Sequence, residues 1–317
     1  MIDSLMFSVI IPAYNKELYI KESVESVLAQ TFHGFELVII DDASTDKTLE
    51  IVKGFNDKRI KIYSRNKPGS GGYAARNLGV KRASNDWIAF LDADDTWRDD
   101  HLETVFKIIQ KYDCDIVTTA GIKVDNEGRK YFKGHRYDGL ISRSELLCVL
   151  AEKDLFLTNS IVLKKSSFLD ADGFRENVSK RGSDYDLWLR LALTERFYVS
   201  SEQTAIYNYY ASGVVKQKSN LNGFHPVVQT VKEVLKKCSL DVYEQKMLKR
   251  FVNRKSIQWL ISKKKHGVSI DLREEKKGFF MDSISLYQYF MIASVLLPNR
   301  VFDLLWSIHR QKKNLHY

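Results

Sequence analysis

Over its first 120 residues the chain switches repeatedly between two hydrophobic periods, and this alternation limits what it can fold into. "FSVIIP" is an apolar run of strand length, "KESVESVLAQT" places Val24, Val27 and Leu28 at helical spacing, and "FELVIID" is again a strand. "DKTLEIVKGF" reads as helix, "RIKIYS" as strand, "YAARNLGVKRA" as helix and "DWIAFLD" as strand; "HLETVFKIIQKY" and "DIVTTA" repeat the pair once more. Strand–helix alternation with short turns predicts an α/β fold: a mostly parallel sheet flanked by helices on both faces. Gly121 to Gly139 reads as a hairpin or loop excursion, with further strands at Ser160–Leu163 and Thr204–Tyr210 and a helix from about Asp184 to Leu193. Beyond Phe224 the pattern is helical only.

On that scaffold three polar clusters follow three strands. "PAYN" (Pro12–Asn15) follows the first, "DDASTD" (Asp41–Asp46) the second, and "DADD" (Asp92–Asp95) the fourth. In a parallel sheet these strand ends share one edge, where ligands of open α/β sheets bind. Asp92, Asp94 and Asp95 are three like charges in four positions, and a structural loop gains nothing from their repulsion. A hard divalent cation relieves it: Mg²⁺ or Mn²⁺ takes one or two carboxylates and completes its shell with water and phosphate oxygens. The bland alternative is capping of the following helix by Asp94, Asp95 or Asp99. "KPGSGGYAARNLG" (Lys67–Gly79) is a Gly-rich turn opening a helix, a start that can receive phosphate oxygens, with Arg76 adding a fork of donors. It has neither P-loop nor GxGxxG spacing.

Together "FSVIIPAYNKELYIKESVESVLAQTFHGFELVIIDDASTDKT" and "GGYAARNLGVKRASNDWIAFLDADD" resemble the N-terminal half of a family 2 glycosyltransferase, closely over residues 6–115 and more weakly to about 213. The resemblance implies a GT-A type, Rossmann-like sheet flanked by helices, with a C-terminal helical appendage. It makes Asp92 and Asp94 the DxD motif around Ala93, with Asp94 or Asp95 touching Mg²⁺ or Mn²⁺. Pro12, Tyr14 and Asn15 would line the donor nucleotide, Tyr14 by stacking on the base, and Asp42 would accept a hydrogen bond from that base. Arg76 would lie near the base or the diphosphate. The family inverts the anomeric centre of an activated sugar, usually a UDP-sugar.

An inverting transfer needs a base for the acceptor hydroxyl proton. "KRGSDYDLWLRLAL" resembles the family's acidic motif before an apolar helix, which makes Asp184 the candidate, with Asp186 and Asp172 next in line. Helical spacing puts Asp184 on the face of Leu187, Trp188 and Leu191, turned toward packing, and Asp186 on another face. The sequence departs from the family's pattern at Ser183, commonly Glu, and in "IYNYYASG", where Asn208 and Tyr210 stand at the family's Arg and His positions. "LTNS" (Leu157–Ser160) reads as a polar strand entry or as part of the acceptor side.

Charge divides the chain at about Gly213. From Val214 to Tyr317 there are 20 Lys+Arg against 8 Asp+Glu, whereas the preceding residues carry 29 against 32. A basic tail beside a slightly acidic main body argues against a nucleic-acid groove and favours contact with an anionic membrane surface. Residues 1–213 are therefore expected to form the catalytic domain, with a nucleotide-sugar half to about 115 and an acceptor half beyond, and 214–317 a basic helical region. The alternative for that region is packing or homo-oligomerisation through its helices. Cys114, Cys148 and Cys238 have no metal spacing, no signal peptide opens the sequence, and "YFMIASVLLP" is too short to span a bilayer. These features give an expected cytoplasmic location at the inner face of the membrane. The expected function is transfer from a nucleotide-sugar to a glycan or lipid-linked acceptor in bacterial surface polysaccharide synthesis. Two rivals stand beside it: a non-catalytic scaffold or glycan-binding subunit that keeps the fold, and a haloacid-dehalogenase-like phosphatase, whose DxDx[TV] pattern "DADDT" also fits. That second family would carry the motif on its first strand.

Overall fold

The computed structural model describes residues 6–134, 136–176, 181–209, 211, 221, 223–302 and 305–306. Tyr210 and the closing "HRQKKN" lie outside them. Two compact units divide the chain: residues 1–146 with 154–217, and residues 147–153 with 218–317.

The first unit is built on a ten-stranded mixed sheet. Strands β1 (Phe7–Ala13), β2 (Phe35–Asp41), β3 (Ile60–Ser64) and β4 (Trp87–Phe90) are parallel and lie in the order β3-β2-β1-β4. All seven residues of β2 are buried, as expected of a strand covered on both faces. The helices α1 (Ile20–Leu28), α2 (Thr48–Lys53) and α3 (Tyr73–Arg82) make the crossovers, and α1 buries Ile20, Ser23, Val24 and Val27, one stripe at helical spacing. At Gly79 of α3 an added Cβ would lie 2.4 Å from Ile10 Cγ2, so this helix approaches β1 as only a glycine permits.

Beyond β4 the sheet is mixed. The strands β5 (Thr96–Trp97), β6 (Ile116–Val124), β7 (Lys130–Lys133), β8 (Gly139–Ile141), β9 (Ile161–Lys164) and β10 (Phe197–Asn208) follow. The path runs on as β4-β9-β6-β10-β5, with β9 antiparallel to both neighbours and β10 parallel to β6. The excursion after Gly121 is the β6–β7 hairpin. β10 starts seven residues before the expected Thr204 and carries irregular register between Val199 and Ala205, a break that hides its first half from a period-2 reading. Helices α4 (His101–Lys111), α5 (Arg143–Glu152), α6 (Lys165–Asp170) and α7 (Ser183–Ala192) complete this part of the chain.

The second unit is helical among its described residues, with helices Val227–Lys237, Val242–Lys265, Leu272–Glu275 and Leu286–Ser294. Residues 147–153 belong to it, and the Arg254 guanidinium donates to the carbonyls of Leu150 (2.7 Å) and Lys153 (3.1 Å). Met291, Val295 and Phe302 pack on Ile257, Leu260 and Ile261 of the long helix. Among the described residues no helix is long and apolar enough to cross a membrane.

Candidate active site

β1 leads away to β2 and β3 on one side, and the chain returns to β4 on the other, so the sheet reverses direction beside β1. Such a switch point opens a crevice at the carboxyl ends of the strands. Ala13 pairs with Asp41 across β1 and β2, and Ile10 with Phe90 across β1 and β4, which sets the three polar clusters along one edge.

On the β1–β2 side, Asn15 adopts positive φ (50°), and its side-chain oxygen accepts from the amide of Thr45 (2.8 Å). Short polar side chains tolerate this conformation through such local bonds. Tyr14 stands beside it, 44% exposed, its ring available for stacking. Asp42 is buried; Arg65 pairs with one carboxylate oxygen, and the Gly69 amide donates to the other at 2.9 Å. The Gly-rich turn is thereby tied to the end of β2. Gly72 caps α3 at φ 72°, and an added Cβ would lie 3.2 Å from Arg76 Nη1 and 3.6 Å from Pro12 Cβ.

Arg76 is the hub of the other side. Its guanidinium is buried, pairs with Asp92, donates to the Gly71 carbonyl (3.1 Å), and lies 5.7 Å from the ring of Phe174. Burial opposes its charge, but Asp92, and behind it Tyr73 and Asp184, outweigh burial and hold its pKa above the ordinary value. Asp184 is thus close enough to act on both Arg76 and Tyr73, which brings the start of α7 to the DxD edge. The half-buried Asp92 and Asp94 flank the buried Ala93. Lys16, from the loop after β1, places its ammonium on Asp94. Burial raises the Asp94 pKa; Lys16 counters this and Asp92 reinforces it.

Asp95 corrects the expected set of three metal carboxylates. It is buried, and its two oxygens accept from the Asn208 amide (2.9 Å) and from Asn159 Nδ2 (2.8 Å). Burial, then Asp94 and Asp92, push its pKa well above the usual carboxylate range. It faces into the protein and braces the loop from behind. Asn208, at the family's Arg position, adds a bond from its side chain to the Asp94 carbonyl (3.0 Å). Among the described residues no three His, Cys, Asp or Glu side chains converge as a metal cage. The donor set that remains, Asp94 and Asp92, is hard carboxylate oxygen, each half-buried and paired with one cation, Lys16 and Arg76, and its oxygen chemistry fits a Mg²⁺ or Mn²⁺ completed by water and phosphate.

The faces expected for Asp184 and Asp186 are also corrected. Asp184 is half-buried, whereas Asp186 is fully buried. Arg190, one turn on, pairs with Asp186 at 2.8 Å, and Arg175 lies 3.5 Å from its other oxygen. Arg190 also donates to the carbonyls of Ala171 and Gly173, so the pair ties α7 to the turn before it. Helical spacing alone missed this because α7 buries Leu187, Trp188 and Leu189 in succession and is covered on more than one side. Asp172, the further alternative, is exposed in a turn at φ 58°. Lys16, Asn159 and Asn208 carry contacts at the site that the sequence had not assigned. Each acts across more than 60 residues of chain, and no local pattern announces such a bond.

The family model described as glycosyl transferase family 2 matches residues 8–175. Over 264 residues the chain is 25% identical to the glycosyltransferase GlyG of Streptococcus pneumoniae serotype 4, covering 79% of this chain and 86% of GlyG. Over 109 residues it is 42% identical to Escherichia coli WfgD, named as a UDP-Glc:alpha-D-GlcNAc-diphosphoundecaprenol beta-1,3-glucosyltransferase; that match covers 34% of this chain and 43% of WfgD. Further relatives are longer still, and the chain spans about 30% of their length. The structure of S. aureus TarS 1-349 in complex with UDP-GlcNAc shares the fold, with a TM-score of 0.70 at 20% identity over 97% of this chain and 92% of that one.

Proposed function

The chain belongs to glycosyl transferase family 2, and from that premise we propose that it moves a sugar from a nucleotide-sugar, UDP-linked in the first instance, to a hydroxyl of a glycan or lipid-linked acceptor in bacterial surface polysaccharide synthesis. The observation that carries this reading is the convergence of Asp42, Arg76, Asp92 and Asp94 at one switch-point edge, with Asp184 within electrostatic reach. The names of WfgD and of the TarS complex both contain a UDP-sugar, which favours that donor.

In this reading Tyr14 stacks on the base, Pro12 and Asn15 shape its seat, and Asp42, fixed by Arg65 and Gly69, accepts a bond from it. Asp92 and Asp94 hold Mg²⁺ or Mn²⁺, which when bound supplies counter-charge for the leaving diphosphate. Arg76, oriented by Gly71 and Asp92, adds fixed positive charge at the same edge. Asp184 takes the proton from the acceptor hydroxyl as that oxygen attacks the anomeric carbon from the far side, giving inversion. Residues 1–213 act as the catalytic domain.

The basic region 214–317 holds the enzyme at an anionic membrane surface, at the cytoplasmic face. Along Leu286–Ser294 and just beyond, Leu286, Tyr287, Tyr289, Phe290 and Leu296 are exposed while Met291 and Val295 turn inward. An apolar, aromatic face on a unit rich in Lys and Arg has the chemistry of interfacial helices.

A panel of nucleotide-sugars, scored for thermal stabilisation and then for turnover with membrane extracts as acceptor source, tests the proposal. Turnover of one UDP-sugar supports it. Stabilisation without turnover of any donor would favour the scaffold reading instead.

A further inference from the structure

Two cations face the DxD carboxylates, and they are held very differently. Arg76 is 7% exposed, fixed by the Gly71 carbonyl and enclosed by Tyr73 and Phe174. Its guanidinium pairs with Asp92. Lys16 is fixed only through its backbone. Its amide donates to Thr48 Oγ1 (2.7 Å), and its carbonyl accepts from the amides of Tyr19 and Ile20, both at 2.9 Å. Beyond Cα the side chain is a flexible four-carbon stem whose side-chain exposure is 20%, and its ammonium has Asp94 as hydrogen-bond partner. In this same position the ammonium lies 5.9 Å from the centre of the Tyr19 ring.

We propose that Lys16 is a stand-in cation for Asp94: in the donor-free protein its ammonium occupies the carboxylate that a divalent ion uses, and it must swing away before that ion binds. This rests on the metal reading of Asp94 given above. The physical ground is competition. Asp94 is a half-buried carboxylate beside a second one, and its ionised form is stabilised by a positive partner, which Lys16 is placed to be. Lys16 supplies one at no cost in translational freedom, because it is part of the chain. A metal ion arriving alone must displace it. A metal ion arriving with a nucleoside diphosphate brings an anion that gives the released ammonium a new partner. Lys16 therefore keeps the empty site from capturing free divalent ions and couples their binding to the donor.

The test is titration of the 317-residue protein with Mn²⁺, without nucleotide, followed by the electron paramagnetic resonance signal of the free ion. Lys16→Met keeps the stem and removes the charge. It is expected to bind Mn²⁺ about ten-fold more tightly than wild type, a ratio equal to ~1.4 kcal/mol. Lys16→Arg keeps a cation and is expected to bind as weakly as wild type, which separates charge from packing. Asp94→Asn is expected to remove binding in either background. Mn²⁺ affinity in Lys16→Met equal to or below that of wild type, with Asp94→Asn still abolishing binding, would overturn the Lys16 inference and leave the metal reading in place. Unchanged Mn²⁺ binding in Asp94→Asn would overturn both.

Discussion

Asp184 and Asp186 stand two positions apart on α7 and differ in what surrounds them. Asp186 is sealed against Arg190 and Arg175, and its carboxylate has a structural task. Asp184 is half-buried and lies near enough to Arg76 and Tyr73 for its charge to act on both. Asp184→Asn nearly preserves shape but cannot accept a proton, so transfer should fall ~10²-fold or more while donor binding survives. Single-turnover rates within a few-fold of wild type would move the base elsewhere. The buried His101 makes a second prediction. Its Nδ1 bonds Thr204 Oγ1 (2.7 Å), its ring stacks on Trp97, and burial lowers its pKa from 6.5 to about 3. A folded-state pKa below the unfolded one means that the unfolded chain binds the extra proton. The stabilisation is therefore complete above the unfolded value and is lost as pH falls from about 6.5 toward 3, by ~2 kcal/mol at pH 5. Urea midpoints at pH 7 and pH 5 should diverge less in His101→Phe than in wild type; equal divergence would contradict this. At this scale the sequence shows residues that sit next to a strong local pattern. Asp42, Asp92 and Asp94 directly follow apolar strands and can be read there. Lys16 and Asn208 lie 78 and 114 residues from their partners at Asp94, and only the fold brings them together.

The four parallel strands and their crossovers are legible because each combines a buried run with a helix of opposite period, bounded by turn residues. The later elements are harder for physical reasons. β5 has two residues and β8 three, too few to repeat a pattern, and the register break in β10 leaves only its second half legible. Antiparallel β9, inserted between β4 and β6, also departs from the parallel order that strand–helix alternation implies. The contact of α3 with β1 carries its own prediction. Gly79→Ala gains helix propensity, ~1 kcal/mol at most, yet its Cβ would fall 2.4 Å from Ile10 Cγ2. Both partners belong to packed elements, a helix and the strand beneath it, so overpacking should dominate and destabilise by about 1–3 kcal/mol net. Chemical denaturation measures it. A variant as stable as wild type would show that α3 shifts freely on the sheet.

Over the whole molecule the charge is uneven: the residues to Gly213 carry 29 Lys+Arg against 32 Asp+Glu, and those from Val214 onward 20 against 8. Residues 147–153 belong to the helical unit, and there Arg254 donates to the carbonyls of Leu150 and Lys153 about 100 residues away, a bond that no local pattern announces. Each Lys or Arg near an anionic leaflet contributes ~1 kcal/mol, screened by salt. The 317-residue protein should therefore co-sediment with anionic vesicles at low salt and release at high salt, and Leu286→Glu with Phe290→Glu should weaken the association at both. Sedimentation that ignores lipid charge and these substitutions would make the exposed face a packing or self-association surface. The central claim, that the switch-point edge is a metal-assisted nucleoside-diphosphate site, is tested most directly by calorimetric titration with UDP in Mn²⁺, repeated in excess EDTA and with Asp94→Asn. The account predicts saturable binding with Mn²⁺ that is lost or strongly weakened in the other two titrations. UDP binding of equal strength in all three, or the absence of binding to UDP and every other nucleoside diphosphate, would contradict it.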